Sequence, residues 1–298
     1  MLREAAPFGD GRFLFARELS GRDEKMKITV LIENTSRDKR LIPEHGLSVY
    51  VETREHRLLV DTGASPAFLE NAGLLGIDLG GVEMVVLSHG HYDHGGGIPV
   101  FAGRYPSVPI YLRENALERH CRPAEGGIKE IGLDREIRKL PQLVPVKGNQ
   151  ELGENLFLFT NVTGRELWPD GNRSLKREEQ GKLVQDDFSH EQYLIVKEKG
   201  REILLSGCAH NGIINILEEA IRLRGRQPDA VISGFHTRKK QGYGEADLRM
   251  LRQMGRRLRA YQSVFYTGHC TGQEPFDILK QEMGEQIQPL YTGWQKEW

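Results

Sequence analysis

Short apolar runs alternate with turn signals along the first half of the chain. Residues 28–32 and 47–51 are predicted strands, and residues 58–60 are a strand that returns after a polar hairpin. Residues 66–75 are predicted to be helical. Residues 84–87 form a continuous apolar run, which is typical of a strand buried on both faces.

The second half repeats this alternation. Its predicted strands span residues 156–159, 193–196, 203–205, 230–232 and 264–266. Apolar residues at helical spacing from Ile213 to Ile221 predict a helix, with Asn211 placed to cap its start and Gly225 to end it. Leu248, Leu251, Met254 and Leu258 indicate another helix. Together the two halves predict an α/β fold in which two sheets pack together with helices outside.

Two segments depart from this pattern. A stretch from about 113 to 187 is rich in Gly, Glu, Lys and Arg, and a long irregular segment inside a compact domain is usually a lid, a binding loop or a cap. Residues 1–25 are polar and Gly-rich and show no period. We therefore predict an N-terminal extension at 1–25. One domain is predicted over 26–298, with an inserted lid-like segment at about 113–187.

Composition narrows the class of partner. The formal net charge of −1 gives no global field that favours nucleic acid or membranes, and no apolar run approaches the roughly 20 residues of a membrane span. A basic stretch at 249–259 lacks interleaved aromatic residues and is interpreted as a solvated helix face. The odd cysteine count, three, favours a reducing compartment. We expect a cytoplasmic protein whose partner is a small molecule.

The segment after the apolar run 84–87 concentrates metal-binding side chains. Three imidazoles and one carboxylate fall within six positions, at His89, His91, Asp93 and His94. A loop here can direct the first two histidines to one position, and Asp93 and His94 to a second. Imidazole and carboxylate suit zinc, iron, manganese or nickel, and the glycines that follow let the backbone bend tightly. The motif predicts a divalent transition-metal site.

The pattern His-x-His-x-Asp-His after a strand resembles the signature of the metallo-β-lactamase superfamily. The turn Asp61-Thr62-Gly63 resembles its companion turn. The resemblance implies an αββα sandwich of two mixed β-sheets flanked by helices, with a mono- or dinuclear metal site at one edge. Further motifs resemble the subgroup named for 7,8-dihydropterin-6-methyl-4-(ribofuranosyl)aminobenzene 5'-phosphate synthase. They lie at residues 28–35, 44–48, 207–213, 234–236 and 268–272.

This resemblance implies further ligands from the second half. His269, after the last predicted strand, corresponds to the final histidine of the superfamily. Cys208 stands where a bridging carboxylate is usual, so it is either a thiolate ligand or an inert buried cysteine. The middle histidine is His210, in the Gly-Cys-x-His motif, or His190, before a predicted strand; we favour His210. The predicted ligands are therefore His89, His91, Asp93, His94, Cys208, His210 and His269. They suffice for two ions, with zinc favoured.

Other residues receive supporting roles. Asp61 is predicted to orient a metal-bound histidine. Asp93 would bind metal and orient the nucleophile, and His236 is assigned to catalysis through substrate contact or support of a ligand. His45 and His190 are candidates for the pocket wall.

The helix that begins near Asn211 and Gly212 is expected to bind an anionic group through its N-terminal amides and dipole. His56, His120 and Cys121 have no supporting context and are expected at the surface.

A divalent cation lowers the pKa of bound water to about 7. The predicted function is therefore a metal-dependent hydrolase that uses a metal-activated hydroxide on a small phosphorylated or otherwise anionic substrate, with phosphoester hydrolysis favoured. One alternative is the transferase that the subgroup name implies, with a pterin stacked on an aromatic residue such as Phe235 or Trp168. Another is metal-dependent ligand sensing without turnover. The superfamily name by itself gives no reason to expect β-lactam hydrolysis.

Overall fold

The computed structural model describes residues 25–298, so the predicted extension at 1–25 lies, apart from Lys25, outside the described residues. The strands are β1 (Lys27–Ile32), β2 (Ser48–Glu52), β3 (Arg57–Val60), β4 (Met84–Val86), β5 (Ile110–Arg113), β6 (His120–Ala124), β7 (Gly127–Glu130), β8 (Leu143–Val146), β9 (Gln150–Gly153), β10 (Leu156–Thr160), β11 (Lys176–Glu179), β12 (Lys182–Gln185), β13 (Gln192–Glu198), β14 (Arg201–Leu205), β15 (Ala230–Ile232), β16 (Val264–Thr267), β17 (Ile287–Pro289) and β18 (Gln295–Glu297). The α-helices are α1 (Ala67–Leu74), α2 (Tyr92–Gly95), α3 (Ile98–Arg104), α4 (Ile213–Arg224), α5 (Glu245–Arg259) and α6 (Gln273–Met283).

Two seven-stranded mixed sheets form the body of the protein. The first has the order β18-β1-β2-β3-β4-β5-β8, and the second β17-β16-β15-β14-β13-β10-β9. In each sheet one part is antiparallel and the other part, β3-β4-β5-β8 or β14-β15-β16-β17, is parallel. This architecture confirms the predicted sandwich of two mixed sheets.

Alternation along the strands divides the apolar residues between three layers. In β3, Leu58 and Val60 join the core between the sheets, whereas Leu59 packs under α1 and α3. In β14, Ile203 joins the central core and Leu204 packs under α4, α5 and α6. Because successive side chains of a strand point to opposite faces, a strand covered on both sides is apolar throughout. Helices therefore cover both outer faces.

Strands occupy much of the segment predicted to be irregular. β8, β9 and β10 belong to the two main sheets, whereas β6, β7, β11 and β12 form a separate four-stranded sheet in the order β12-β11-β6-β7. We call this smaller sheet the cap sheet. All four residues of β7 are exposed, and β11 has the sequence KREE, so neither strand shows an apolar period. That is why the sequence pattern did not predict them.

The remaining differences are small. The predicted helices and strands of both halves are confirmed, with ends that differ by a few residues. Helix α6 and the strands β17 and β18 were not predicted. No helix within residues 25–298 is long and apolar enough to cross a membrane.

Candidate metal centre

Strand ends from both sheets meet at the edge that carries the predicted ligands. Asp61 follows β3 and His89 follows β4 in the first sheet, while Cys208, His236 and His269 follow β14, β15 and β16 in the second. The carboxyl ends of parallel strands lie at one edge of a sheet, where ligand sites of α/β proteins concentrate. The fold thus assembles residues that are far apart in sequence.

The backbone at this edge is strained. Asp61, Ala209, His236 and His269 have φ values of 62°, 55°, 49° and 50°. Such left-handed conformations are unfavourable for residues other than glycine and cluster at functional sites, where the surrounding structure holds them. The turns after four strands therefore adopt a costly conformation that directs their side chains.

A glycine permits close packing beside the histidine motif. A Cβ atom on Gly96 would lie 2.3 Å from the carbonyl oxygen of Ala64, which no real side chain tolerates. The chain that carries Asp93 and His94 therefore packs directly against the loop after β3.

The first group of candidate ligand atoms comes from three histidines. His89, His91 and His210 each offer a ring nitrogen, and these atoms lie within 4.8 Å of one another. Burial lowers the pKa of all three rings well below the usual value, so they are neutral bases. A neutral imidazole is the form that binds a metal.

Hydrogen bonds fix the protonation of His89. Ser88 Oγ donates to Asp61 Oδ2 at 2.7 Å and must therefore accept from His89 Nδ1 at 2.8 Å. His89 Nε2 is left with a lone pair and has no hydrogen-bond partner among the described residues. A buried lone pair without a donor is costly unless a cation binds it.

The same logic applies to His210. Asn172 Nδ2 donates to the carbonyl oxygen of His210 at 2.7 Å, which turns Asn172 Oδ1 toward His210 Nδ1 at 2.8 Å. The proton of His210 is therefore on Nδ1. Nε2 is again buried and, within residues 25–298, without a partner.

The second group contains Asp93, His94, Cys208 and His269. His94 Nδ1 lies 2.6 Å from Asp61 Oδ2, as expected if Asp61 orients this ring. His94 Nε2 lies 3.2 Å from both His269 Nε2 and Cys208 Sγ. Asp93 Oδ2 lies 3.4 Å from His269 Nε2.

These separations suit a metal ion. Tetrahedral bonds of about 2.0–2.1 Å place two nitrogen ligands roughly 3.3 Å apart, close to the spacings in the second group. Asn34 Nδ2 donates to the backbone of His269, so Asn34 Oδ1 accepts from His269 Nδ1 and leaves a lone pair on Nε2. Two lone pairs at 3.2 Å repel each other unless a proton or a metal ion lies between them.

Charge at the second group favours a cation. Burial raises the pKa of the Asp93 carboxyl, but His269, His94 and His91 lower it further, so the carboxylate is ionised. Burial also disfavours a charged His94, yet Asp61 outweighs this effect and raises the pKa of His94 to about 9. Burial raises the pKa of the Cys208 thiol, and a coordinated metal would deprotonate it. The residues present therefore fit divalent transition-metal ions.

Two further predicted residues border these groups. The His45 side chain is 52% exposed, its Nε2 lies 3.4 Å from Asp93 Oδ2, and its ring stacks on His269. The partly buried His236 ring lies 4.1 Å from the His210 ring. His45 thus stands at the rim of the second group, and His236 beside the first.

His190 does not offer a free nitrogen to the ligand groups. Its Nδ1 accepts from the Gly90 N–H at 3.0 Å, and its Nε2 lies 3.3 Å from Asp186 Oδ2. His210 instead leaves Nε2 without a partner. His210 therefore stays our favoured middle histidine, and the buried His190 ring has both nitrogens engaged by protein groups.

The turn that precedes α4, next to the predicted anion site, holds a buried carboxylate. Glu191, which the sequence reading missed, is buried and accepts from the backbone N–H groups of His210 and Asn211. The Asn211 side chain donates to Phe188 O and Glu191. The carboxylate therefore binds the turn just before α4 and not the first-turn amides of the helix, and substrate binding at Asn211 and Gly212 stays a prediction.

Two residues expected at the surface are wholly buried. His120 and Cys121 both have 0% exposure, and His120 Nδ1 lies 2.9 Å from Asp186 Oδ2. The surface prediction for these two residues was wrong because they begin β6 in the cap sheet. His56 is partly buried against Glu83.

Comparison with known proteins agrees with this geometry. A profile of the family described as the metallo-beta-lactamase superfamily matches residues 41–173. The crystal structure of Tm1679, a metal-dependent hydrolase of the beta-lactamase superfamily, is 31% identical, with a TM-score of 0.76 over 92% of this chain and 99% of that one. The chain belongs to the metallo-β-lactamase superfamily.

The subgroup resemblance is also confirmed. The chain is 27% identical over 291 residues to 7,8-dihydropterin-6-methyl-4-(beta-D-ribofuranosyl)-aminobenzene-5'-phosphate synthase from Methanocaldococcus jannaschii, covering 92% of this chain and 97% of that protein. YhfI from Bacillus subtilis, 14% identical with a TM-score of 0.52, shows the fold alone.

Proposed function

We propose that this protein is a metal-dependent hydrolase of a small phosphorylated or otherwise anionic substrate, with phosphoester hydrolysis favoured. The observation that carries the proposal is the pair of adjacent ligand groups, each with imidazole lone pairs aimed inward. Bound divalent ions, zinc being favoured, would bring the pKa of coordinated water toward neutrality and offset the charge of phosphate oxygens.

The chain's own residues prepare the site for this chemistry. Asp61, Asn34 and Asn172 hold the protons of the ligand histidines on Nδ1, so the rings need no rearrangement to bind ions. Such outer hydrogen bonds orient ligands and raise their basicity. The ionised Asp93 can hold an ion and accept a hydrogen bond from the attacking water.

Two rings flank the opening. His45 is half exposed beside Asp93 and can contact a bound substrate. His236 Nδ1 is buried, and no hydrogen bond to it is formed within the described part of the chain. We assign both rings to substrate contact or proton transfer to the leaving group.

A positively charged side chain without an acidic partner supports the proposal that the substrate is an anion. Arg238 is exposed, and its backbone N–H donates to Cys270 O at 2.9 Å, which anchors it beside the second group. Its positive charge contributes to lowering the pKa of His45, after burial and His269. No carboxylate within residues 25–298 pairs with Arg238. A phosphate at the rim would supply its counter-ion.

The test is turnover by the purified chain loaded with zinc or manganese. Aryl phosphate monoesters and diesters serve as probes because phenolate release is read directly. We expect hydrolysis that chelation abolishes and metal restores, and that a His94→Ala variant lacks. A chain with bound metal and no activity on either class would contradict the proposal.

The second candidate is a synthase that condenses a dihydropterin with a ribofuranosylaminobenzene 5'-phosphate. The observation that favours it is the alignment over 97% of the M. jannaschii synthase. Phe235 is wholly buried and cannot stack on a pterin, whereas Trp168 is partly buried and packs against Phe188. Incubation with both substrates, followed by mass analysis of the condensation product, decides between the candidates.

A further inference from the structure

Three further buried residues lie next to His91. His120 and His190 have 0% exposure and Asp186 has 1%. His120 begins β6 and Asp186 follows β12, so both come from the cap sheet, while His190 precedes β13. The sequence offered His190 as an alternative ligand or pocket residue and gave His120 and Asp186 no role at the metal centre.

Their hydrogen bonds determine where the protons lie. His190 Nδ1 accepts from the Gly90 N–H, so its proton is on Nε2 and is donated to Asp186 Oδ2. His120 Nδ1 lies 2.9 Å from the same oxygen and donates to it. His120 Nε2 therefore has a lone pair, which is buried and has no partner among residues 25–298.

That lone pair needs a donor. The His120 ring is 4.1 Å from His190 and 5.7 Å from His91, measured between ring centroids. Both nitrogens of His190 are already engaged, so His91 is the neighbouring ring that can supply a proton. His91 Nε2 is itself buried, and neither it nor His120 Nε2 forms a hydrogen bond within residues 25–298, so the two rings must shift to form the bond.

His91 is shared between two clusters of ligand-type atoms. One contains His89 and His210, and the other contains His120, Asp186 and His190. A ring has two nitrogens, so His91 can serve both clusters. We infer that His120, Asp186 and His190 are positioning residues that fix His91 with its proton on Nε2, donated to His120, and its Nδ1 lone pair turned to the first metal position.

The consequence is specific to one metal position. His89 and His210 are oriented through Ser88 and Asn172, and His94 through Asp61, so none of these rings depends on His120. Without the acceptor nitrogen of His120, neither the orientation of the His91 ring nor the position of its proton is fixed. Removal of an outer partner typically costs 10–100-fold in metal affinity.

The cap sheet is thereby tied to the metal centre. Tyr92 N donates to Ile131 O, and Ile131 N donates to His120 O, so backbone bonds also join the two parts. The cap sheet is thus connected by backbone hydrogen bonds to the segment that carries His91.

The experiment compares His120→Phe, which keeps the ring shape without an acceptor, with His120→Gln, whose amide oxygen can accept from His91. The control is His56→Phe, at a partly buried histidine that pairs with Glu83 away from the ligand groups. Zinc content and affinity are measured by elemental analysis and chelator competition. We expect His120→Phe to weaken one ion by 10–100-fold and leave the other unchanged, with substantial recovery in His120→Gln and no change in the control.

Nitrogen-15 NMR of the zinc-loaded natural chain gives a readout that needs no variant. It should show His91 protonated on Nε2 and His89 and His210 protonated on Nδ1. A His91 proton on Nδ1, or equal affinities in His120→Phe and the natural chain, would overturn the inference. So would three ions in the natural chain with two in His120→Phe, because the cluster would then bind an ion itself.

The inference rests on the metal centre of the proposed function but not on its substrate. A natural chain that binds no metal would defeat the proposed function. A natural chain that binds two ions, with a His120→Phe variant that binds them equally well, would defeat only the positioning role.

Discussion

The Nε2 atoms of His94 and His269 lie 3.2 Å apart although the hydrogen bonds of both rings favour protons on Nδ1. The two residues are 175 positions apart in sequence and come from different sheets. Folding therefore brings two ring nitrogens together at a buried place, where a proton on His94 or a metal ion must lie between them. A metal ion displaces this proton and binds both nitrogens, so metal binding and folding should be coupled.

Removal of metal should lower thermal stability. An ion present at 100 times its dissociation constant stabilises the native state by about 2.7 kcal/mol, and 1 kcal/mol shifts Tm by roughly 2–4 °C in a domain of this size. We expect Tm to fall by about 5–10 °C for each ion that chelation removes and to recover with zinc. Elemental analysis should find about two ions per chain before chelation. An unchanged Tm in a chain that has lost both ions would contradict this coupling.

The His91→Ala variant should lose turnover and keep its fold. His91 belongs to the first ligand group, whereas the second keeps Asp93, His94, Cys208 and His269. We expect activity below detection, one retained ion and a circular dichroism spectrum like that of the natural chain. His56→Ala is the matched control and should retain full activity. Full activity in His91→Ala would refute the mechanism.

Cys208 should ligate the second ion through sulfur. Its Sγ lies 3.2 Å from His94 Nε2, and thiolate is a good ligand for borderline metals. In the cobalt-substituted protein we expect a sulfur-to-cobalt charge-transfer band that Cys208→Ser removes. Cys121→Ser is the control, because Cys121 is buried in the cap sheet. A band that survives in Cys208→Ser but disappears in Cys270→Ser would show that Cys270, and not Cys208, is the sulfur ligand.

The two sheets come so close together at Gly207 that no side chain should fit at this position. A Cβ atom there would lie 2.2 Å from Ser88 Oγ and 3.1 Å from His89 Nδ1. Gly207→Ala would displace Ser88 and break the link from Asp61 to His89, with a loss of about 1–3 kcal/mol typical of overpacking and weaker zinc binding. In Gly103→Ala, no described atom lies within 4 Å of the added Cβ, and the helix should be slightly more stable. Denaturant unfolding and zinc titration measure both effects. Gly207→Ala with the stability and zinc affinity of the natural chain would contradict the packing argument.

Arg238 should contribute to substrate binding more than to the chemical step. Loss of a hydrogen bond to a charged group costs about 1.5–3 kcal/mol, so Arg238→Ala should raise KM for a phosphorylated substrate by at least about tenfold. We expect kcat to change little. Arg252→Ala, an exposed arginine on α5, is the control. An equal effect of both variants would show only a general loss of positive charge.

Much of the fold could be predicted from the chain alone. Continuous apolar runs such as residues 84–87 predicted strands covered on both faces, and the helical spacing from Ile213 to Ile221 predicted α4. These patterns are local, because the periods of strands and helices repeat within a few residues. The close spacing of His89, His91, Asp93 and His94 identified the metal motif for the same reason.

The cap sheet could not be predicted in this way. Strands β7, β11 and β12 bury little apolar surface and are held by strand pairing within the cap sheet, β7 with β6 and β12 with β11, so they have no apolar period. His120, which opens this sheet, therefore gave no sign that it would be buried.

The sequence by itself determined the residue types of the metal centre and the order of the strands that present them. Only the tertiary structure decided which nitrogen of each ring is free. Asn34 and Asn172 reach the ligand histidines from distant segments, and the buried Glu191 accepts hydrogen bonds from the turn that precedes α4. A buried polar group must find a partner in three dimensions, and that requirement leaves no periodic trace along the chain.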